Sequence, residues 1–185
     1  MTGVQTCALP ICRELGLDRE TLEELKYAAT LHDIGKIAVP DAILGKPAPL
    51  DDLEAEVMKQ HPAVGSEIVG RLRNLRHVLP GVRSHHERVD GNGYPDGLAG
   101  EEIPLVAKII AVADTFDAMT TSRPYRAGIA PEAAAAEIAA QSGTQFSPAV
   151  VEAFSALFAR GELSLARGNQ VLEALSPQPG DGPAR

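Results

Sequence analysis

Residues 84–95 read Ser-His-His-Glu-Arg-Val-Asp-Gly-Asn-Gly-Tyr-Pro, and this short stretch concentrates metal-binding chemistry. Two adjacent histidines, His85 and His86, precede a carboxylate and a glycine-rich turn. Imidazole and carboxylate groups together suit first-row transition metals. An exposed polar loop is the alternative interpretation of the string on its own, but the positions of the other histidines argue against it.

The composition favours a single helical domain. The chain has 185 residues, and 44% of them are apolar, whereas only 4% are aromatic and none is Trp. Leu, Ile, Val and Ala must therefore fill the interior, which favours helices packed on helices. The net charge of −8 argues against binding to DNA or RNA polymers or to an anionic membrane. No apolar run reaches the roughly 18 residues of a membrane span.

The first eleven residues, MTGVQTCALPI, look like a translated sequencing-library adapter. We exclude this segment from fold reasoning and predict that residues 1–12 are artefactual and disordered. Both cysteines of the chain, Cys7 and Cys12, lie within residues 1–12, so a structural disulfide is not expected. The natural protein is then expected to extend further upstream, and the chain to be a fragment that lacks its first helix or helices.

Apolar residues at three- and four-residue spacing predict helices in the rest of the chain, and no stretch has a convincing strand pattern. Asp18 is the predicted cap of the first helix, which ends near Gly35. Further helices are predicted over residues 51–61, 64–75, 104–120 and 131–141, and from residue 147 onward. Loops rich in proline or glycine are predicted at residues 37–49, 80–81 and 91–103.

The most apolar helix, residues 104–120, is predicted to be central and nearly buried, with Pro104 at its first position. Asp114 and Asp117 lie on one face of it, three residues apart. Buried carboxylates are costly unless they are paired or bound to metal. The alternative role for both is that of a structural hydrogen-bond acceptor.

The chain has five histidines, and four of them stand at predicted helix ends or beside breaks in the pattern. His32 is followed by Asp33 and, one helical turn later, by Lys36. His77 lies among Leu75, Arg76 and Val78 without a neighbouring carboxylate or lysine, and we interpret it as structural. The four histidines proposed to have a chemical role are His32, His61, His85 and His86.

A set of imidazoles and carboxylates without thiolates favours Fe or Mn over structural Zn. Asp33 is placed to bridge two metals while His32 binds one. Two metals roughly 3.5–4 Å apart form a clamp for in-line displacement at phosphorus. The ammonium of Lys36 is expected to reach the same phosphate, although a solvated lysine at a helix C-terminus is an equally simple interpretation of that residue.

The string His32-Asp33-Ile34-Gly35-Lys36 and residues 85–95 resemble the two signatures of the HD-GYP family, a subgroup of the HD-domain metal-dependent phosphohydrolases. The resemblance runs from about residue 13 to residue 158. Matching blocks lie between the signatures and beyond them, at residues 40–41, 46–47, 61–62, 103–105, 113–114 and 122–126. The resemblance implies an all-α, HD-domain-like helical bundle with a metal site at its centre, over residues 13–175, followed by a disordered tail at 176–185.

The resemblance also implies a function. Such a domain hydrolyses cyclic di-GMP to pGpG, GMP or both, by attack of a hydroxide that bridges two or three divalent ions, Fe or Mn. Carried over position by position, the implied metal ligands are His32, Asp33, His61, His85, His86 and Asp114. Asp33 and Lys36 would be catalytic, and the implied substrate contacts are Lys36, Gly93, Tyr94, Arg123 and Arg126. In the family, the loop at residues 90–95 also contacts partner diguanylate cyclase domains.

Two departures from the family pattern concern the upstream region and Ser147. The family has one more histidine ligand upstream, at a place that the adapter-like segment occupies in this chain. We therefore expect the fragment to bind metal more weakly and to have reduced hydrolytic activity. An upstream sensory or receiver domain is expected in the parent protein, and the location is expected to be cytoplasmic. Ser147 replaces a common Asp, but both residue types cap helices.

Two rival functions remain. One is a non-catalytic module that binds cyclic di-GMP or a partner protein, and the intact signature strings argue against it. The other is a hydrolase of a different cyclic dinucleotide, which the sequence leaves open.

Overall fold

The computed structural model describes residues 3–122 and 127–163, and within these ranges it contains helices and no β-strand. Only two isolated bridges, Asp90 to Ala99 and Ser142 to Phe146, have strand-like pairing there. The all-α prediction is therefore confirmed. The α-helices of the described residues are α1 (Gly3–Glu14), α2 (Arg19–Leu31), α3 (Asp41–Leu44), α4 (Asp52–Met58), α5 (His61–Gly70), α6 (Leu79–Ser84), α7 (Leu105–Thr120), α8 (Pro131–Ala140) and α9 (Pro148–Ala159). Short 3-10 helices cover Ile34–Ala38, Arg73–Val78 and Gly100–Glu102.

Helix α7 is the central element of the bundle, as its sequence predicts. It packs against α1, α2, α6, α8 and α9. Ile109, Ile110 and Phe116 are fully buried, and the ring of Phe116 meets the ring of Phe154 edge-on at 5.1 Å. Pro104 precedes the helix with extended backbone angles instead of occupying its first turn. Among the residues of α7 only Leu105 is exposed, and the others are buried or half-buried.

Helix α1 shows that the predicted disorder of residues 1–12 is wrong for residues 3–12. Val4, Ala8 and Ile11 recur at helical spacing and are buried against α2, α7 and α9. The apolar period of this segment is therefore sufficient for it to pack as a helix, whatever its origin. The adapter-like origin of the segment stays a prediction.

Helix α2 begins and ends for different physical reasons. The carboxylate of Asp18 accepts the backbone N–H of Thr21 at 2.8 Å, which is the predicted cap. The α-helix ends at Leu31, earlier than predicted, because the next turn, Ile34–Ala38, tightens into a 3-10 helix. His32 and Asp33 thus lie at the junction of two helices.

Prolines begin helices at two places where loops or breaks were predicted. The predicted connection at residues 80–81 lies inside α6, with Pro80 in the first turn, where its missing N–H removes no helical bond. Pro62 stands at the start of α5 in the same way, so the predicted break is confirmed. The predicted loop at 37–49 contains the single turn α3, and the helix expected to reach residue 75 ends at Gly70.

The remaining elements follow the predictions closely. A reciprocal cap between Asp51 and Glu54 begins α4, and α8 and α9 begin at prolines. Ser147 precedes α9, although its hydroxyl makes no capping bond. None of the described helices has the length and apolarity that a membrane crossing requires. The predicted tail at 176–185 lies outside the described residues.

Candidate metal centre

Four segments of the fold bring imidazoles and carboxylates to one place. His32 and Asp33 follow α2, His61 opens α5, His85 and His86 follow α6, and Asp114 projects from α7. One ligand atom each from Asp33, His61, His85 and His86 lies within 4.8 Å of the others. His32 Nε2 lies 3.5 Å from Asp33 Oδ2 and 3.6 Å from Asp114 Oδ1. The six residues implied as ligands are therefore neighbours, and their role as ligands stays a prediction.

Three of the histidines are anchored in the same way. The Nδ1 atom of His32 bonds the Ala29 carbonyl at 2.9 Å, and the same bond joins His61 to Met58 at 2.7 Å and His85 to Val82 at 2.8 Å. Because a carbonyl oxygen only accepts, each Nδ1 must carry the proton. A neutral ring then presents the lone pair of Nε2 to the centre, which is the orientation of a metal-bound histidine.

The protonation of the cluster suits ligation. Burial alone would raise the pKa of Asp33, but its hydrogen bond with His61 and the charges of His32 and Lys36 hold that pKa well below its usual range. Burial, reinforced by the neighbouring His86, keeps the pKa of His85 well below its usual value. Burial and His61 lower the pKa of His86 to about 3. At neutral pH the cluster therefore offers an ionised carboxylate at Asp33 and neutral rings at His85 and His86. Burial alone would lower the pKa of His32, but the nearby carboxylates of Asp114 and Asp33 raise it.

Two features of the centre indicate a place for a cation: a close contact between two ring nitrogens and a buried ring nitrogen without a hydrogen bond. His61 Nε2 and His85 Nε2 face each other at 3.4 Å, although both Nδ1 atoms already carry a proton. His32 Nε2 is buried and has no hydrogen-bond partner among the described residues. Buried polar atoms are rarely left without a partner. Divalent metal ions would give the Nε2 atoms of His32, His61 and His85 the partners that they lack. The residues therefore fit the metals that the sequence predicts.

Gly35 lets the His32–Asp33 junction pack directly on α5. A Cβ atom at this position would overlap the carbonyl oxygen of His61 and lie 2.5 Å from the backbone nitrogen of Gly65. The absence of a side chain therefore sets the distance between Asp33 and His61, whose Oδ1 and Nε2 atoms are 3.3 Å apart. Lys36, one turn further on, bonds the other oxygen of Asp33 at 2.6 Å.

The loop after His86 is tied to the centre by Glu87. The sequence grouped this carboxylate with the metal-binding residues, but its two oxygens accept the backbone N–H groups of Asp96 at 2.7 Å and Leu98 at 3.0 Å. Gly93 allows the loop to fold back, because a Cβ there would lie 2.5 Å from the Cα of Glu87. Glu87 thus shapes the loop instead of reaching the cluster.

Tyr94 closes one side of the centre. Its ring stacks on the ring of His86, with 4.8 Å between centroids, and the peptide bond to Pro95 is cis. Burial, followed by the charges of Asp114 and Asp33, raises the pKa of Tyr94 to about 12. The phenol is therefore a hydrogen-bond donor over the whole neutral range.

A cavity of about 290 Å³ adjoins the cluster and contains residues that the sequence did not indicate. His85, His86, Tyr94 and Asp114 form part of its wall. The wall also includes Asn92, from the loop at residues 90–95 that the resemblance implied would shape the pocket, and Lys59, Arg88, Thr115 and Gln145, which were not predicted. Their only common feature is this position in the fold, so no spacing rule would have found them. The predicted substrate contacts Arg123 and Arg126 lie outside the described residues.

The fold and the cluster together define a class: an all-helical domain with a buried histidine–aspartate centre suited to divalent metal ions. The family model for the HD domain matches residues 2–150. The chain belongs to the HD domain family, and its relatives place it with the HD-GYP proteins, as its two signature strings predicted.

Three curated relatives are similar over most of this chain. The cyclic di-GMP phosphodiesterase response regulator RpfG of Xanthomonas campestris is 47% identical over 146 residues, which is 77% of this chain and 38% of that protein. A cyclic di-GMP phosphodiesterase of Thermotoga maritima is also 47% identical, over 78% of this chain and 40% of that protein. The 3′3′-cGAMP-specific phosphodiesterase 2 of Vibrio cholerae is 42% identical, over 74% of this chain and 27% of that protein. The chain thus spans less than half the length of these relatives.

Solved structures share the fold. A cyclic GMP-AMP-specific phosphodiesterase of Vibrio cholerae (V-cGAP3) superposes with a TM-score of 0.69 at 22% identity, over 95% of this chain and 48% of that one. A protein of Bdellovibrio bacteriovorus with an HDG"Y"P motif, Bd1817, gives the same TM-score at 20% identity, over 85% of this chain and 50% of that one. At this level of identity the likeness concerns the fold alone.

Proposed function

We propose that this chain is a metal-dependent phosphodiesterase domain that hydrolyses cyclic di-GMP to pGpG, GMP or both. The observation that carries the proposal is the cluster of Nε2 atoms that point inward around Asp33, in which His61 and His85 face each other without a proton to share. The names of the relatives support the substrate class. The ligands in this proposal are His32, Asp33, His61, His85, His86 and Asp114, and they hold two or three ions, Fe or Mn.

The bound metals would lower the pKa of a coordinated water and neutralise the phosphate oxygens. The residues of the chain position the substrate around them. Lys36 is held beside the cluster by Asp33 and reaches the oxygens of the scissile phosphate, where its charge stabilises the charge that develops in the transition state. Tyr94, stacked on His86 and protonated, lines the cavity in which a leaving nucleoside would lie. Gly93 brings this loop close enough for that contact.

Two alternatives concern substrate and role. A different cyclic dinucleotide is a real competitor, because a relative at 42% identity is named as specific for 3′3′-cGAMP. A non-catalytic binding module is disfavoured by a cluster that retains every predicted donor in one place. Contacts of loop 90–95 with diguanylate cyclase domains, an upstream regulatory domain, a cytoplasmic location and reduced activity of this fragment all stay predictions.

A hydrolysis assay tests the proposal. The purified chain, loaded anaerobically with Fe(II) or Mn(II), is expected to convert cyclic di-GMP to linear products that chromatography resolves, and chelation is expected to stop the reaction. Bis(p-nitrophenyl) phosphate, which carries one phosphodiester and no base, reports on the centre independently of nucleotide recognition. Binding of cyclic di-GMP without turnover of either compound would favour the non-catalytic module.

A further inference from the structure

Gln145 occupies a position in the cavity that the proposed chemistry does not explain. It lies in the turn between α8 and α9 and lines the same cavity as His86 and Asp114. The backbone of this turn is bonded to the loop that follows the cluster, since the N–H of Asp90 donates to the Thr144 carbonyl at 2.9 Å. Gln145 is therefore fixed relative to the centre.

Arg88 determines which way the side-chain amide of Gln145 points. Its Nη1 donates to Oε1 of Gln145 at 3.1 Å, while Nε and Nη2 bond the carboxylate of Asp90 at 3.0 and 2.6 Å. A guanidinium only donates hydrogen bonds, so the amide oxygen must face Arg88 and the NH₂ group must face away from it. Among the described residues, no acceptor bonds that NH₂ group. The cavity thus contains a hydrogen-bond donor of fixed orientation that bonds no acceptor within residues 3–122 and 127–163.

We propose that Gln145 is a specificity-determining residue that selects guanine over adenine in the bound cyclic dinucleotide. Guanine carries an acceptor, O6, at the position where adenine carries a donor, the N6 amino group. A fixed NH₂ donor can bond O6 of guanine. In adenine it would face the N6 amino group, which is also a donor. The inference rests on the proposed function and adds to it the residue that reads the base. Arg88 acts through Gln145 and is a positioning residue.

Two substitutions test this assignment with different expected signatures. Gln145→Glu keeps an oxygen for Arg88 and replaces the free donor by an acceptor, whereas Gln145→Met removes the donor without adding an acceptor. Asn74→Asp makes the same amide-to-acid change at an exposed position in the 3-10 helix Arg73–Val78, away from the cavity, and serves as the control.

The measurement is the ratio of the dissociation constants for cyclic di-AMP and cyclic di-GMP, determined by calorimetry for the wild type and each variant. We expect Gln145→Glu to shift this ratio toward cyclic di-AMP by about 10-fold, or ~1.4 kcal/mol, because the substitution replaces the donor that faces O6 of guanine by an acceptor. Gln145→Met should shift it less, and Asn74→Asp should leave it unchanged. The rate with bis(p-nitrophenyl) phosphate is expected to stay within about twofold of the wild type in Asn74→Asp, because Asn74 is exposed and lies outside the cavity wall.

The affinity ratio decides the role of Gln145 whether or not the chain turns over its ligand. If both variants retain the wild-type ratio, the assignment is overturned. Failure of the wild type to bind either dinucleotide at millimolar concentration would overturn it too. If the wild type binds both nucleotides but hydrolyses neither nucleotide nor the model diester, the proposed phosphodiesterase is refuted, and a shifted ratio would still support base reading by Gln145.

Discussion

Asp33→Asn is expected to abolish hydrolysis almost completely, lowering kcat/KM by about 10³-fold, or roughly 4 kcal/mol of transition-state stabilisation. The amide keeps the size of the carboxylate but removes the negative charge that faces His32, His61 and Lys36. A site with two cations depends on that charge to hold them. The measurement is the rate of bis(p-nitrophenyl) phosphate hydrolysis at saturating Mn(II), together with the metal content after dialysis.

Asp41→Asn is the matched control for this substitution. Asp41 is an exposed carboxylate in the first turn of α3, outside the cluster. The hydrolysis rate and metal content of Asp41→Asn should therefore equal those of the wild type. If Asp33→Asn retained its metal and more than about a tenth of the wild-type rate, Asp33 would not be the residue around which the centre is built.

Among glycine-to-alanine substitutions near the site, Gly35→Ala is expected to lower the free energy of unfolding the most. The new Cβ would overlap the backbone of His61 and lie 2.5 Å from the nitrogen of Gly65, and backbone atoms cannot rotate away as a flexible side chain can. We expect a cost of about 3 kcal/mol or more in the free energy of unfolding. That corresponds to a fall in Tm of about 6–12 °C. Thermal unfolding followed by circular dichroism gives the value.

Gly65→Ala provides the control, because Gly65 lies on the opposite side of the same contact. Its Cβ would approach neighbouring atoms no closer than 3.2 Å, and the helix propensity of Ala offsets part of that crowding. A change within ~1 kcal/mol is expected. Equal losses in the two variants would show that the close approach of the His32–Asp33 junction to α5 does not limit stability. Gly35→Ala should also weaken metal binding, since it separates Asp33 from His61.

Local signals in the sequence were sufficient for α2, α4, α5, α7, α8 and α9 and for the choice of candidate ligands, but not for α1, α3 and α6. The cap at Asp18 acts over three residues, so the local sequence predicts it. The helix start predicted near residue 51 is also present, and the structure adds the reciprocal cap between Asp51 and Glu54. The histidines of interest were singled out because they stand at helix ends beside acids. Their meeting in space followed from the resemblance to HD-GYP proteins, because no periodicity relates α2 to α6.

The features that the sequence missed depend on contacts between distant segments. Arg88 and Gln145 are 57 positions apart, so nothing in the spacing of either predicts their hydrogen bond. Glu87 follows two histidines and was grouped with them for that reason, but the path of the loop turns its carboxylate to Asp96 and Leu98. Residues 3–12 were set aside because of their apparent origin, although their apolar spacing supports a helix.

The central claim is that the cluster binds two or more divalent ions, and metal analysis of the purified chain tests it most directly. After reconstitution with Mn(II) or Fe(II) and removal of free metal, mass spectrometry should find at least two ions per wild-type chain. His85→Ala should lose most of this metal, whereas His77→Ala, whose imidazole meets Tyr27 away from the centre, should retain it. A wild-type chain without bound metal, or a His85→Ala variant that binds as much as the wild type, would contradict the account.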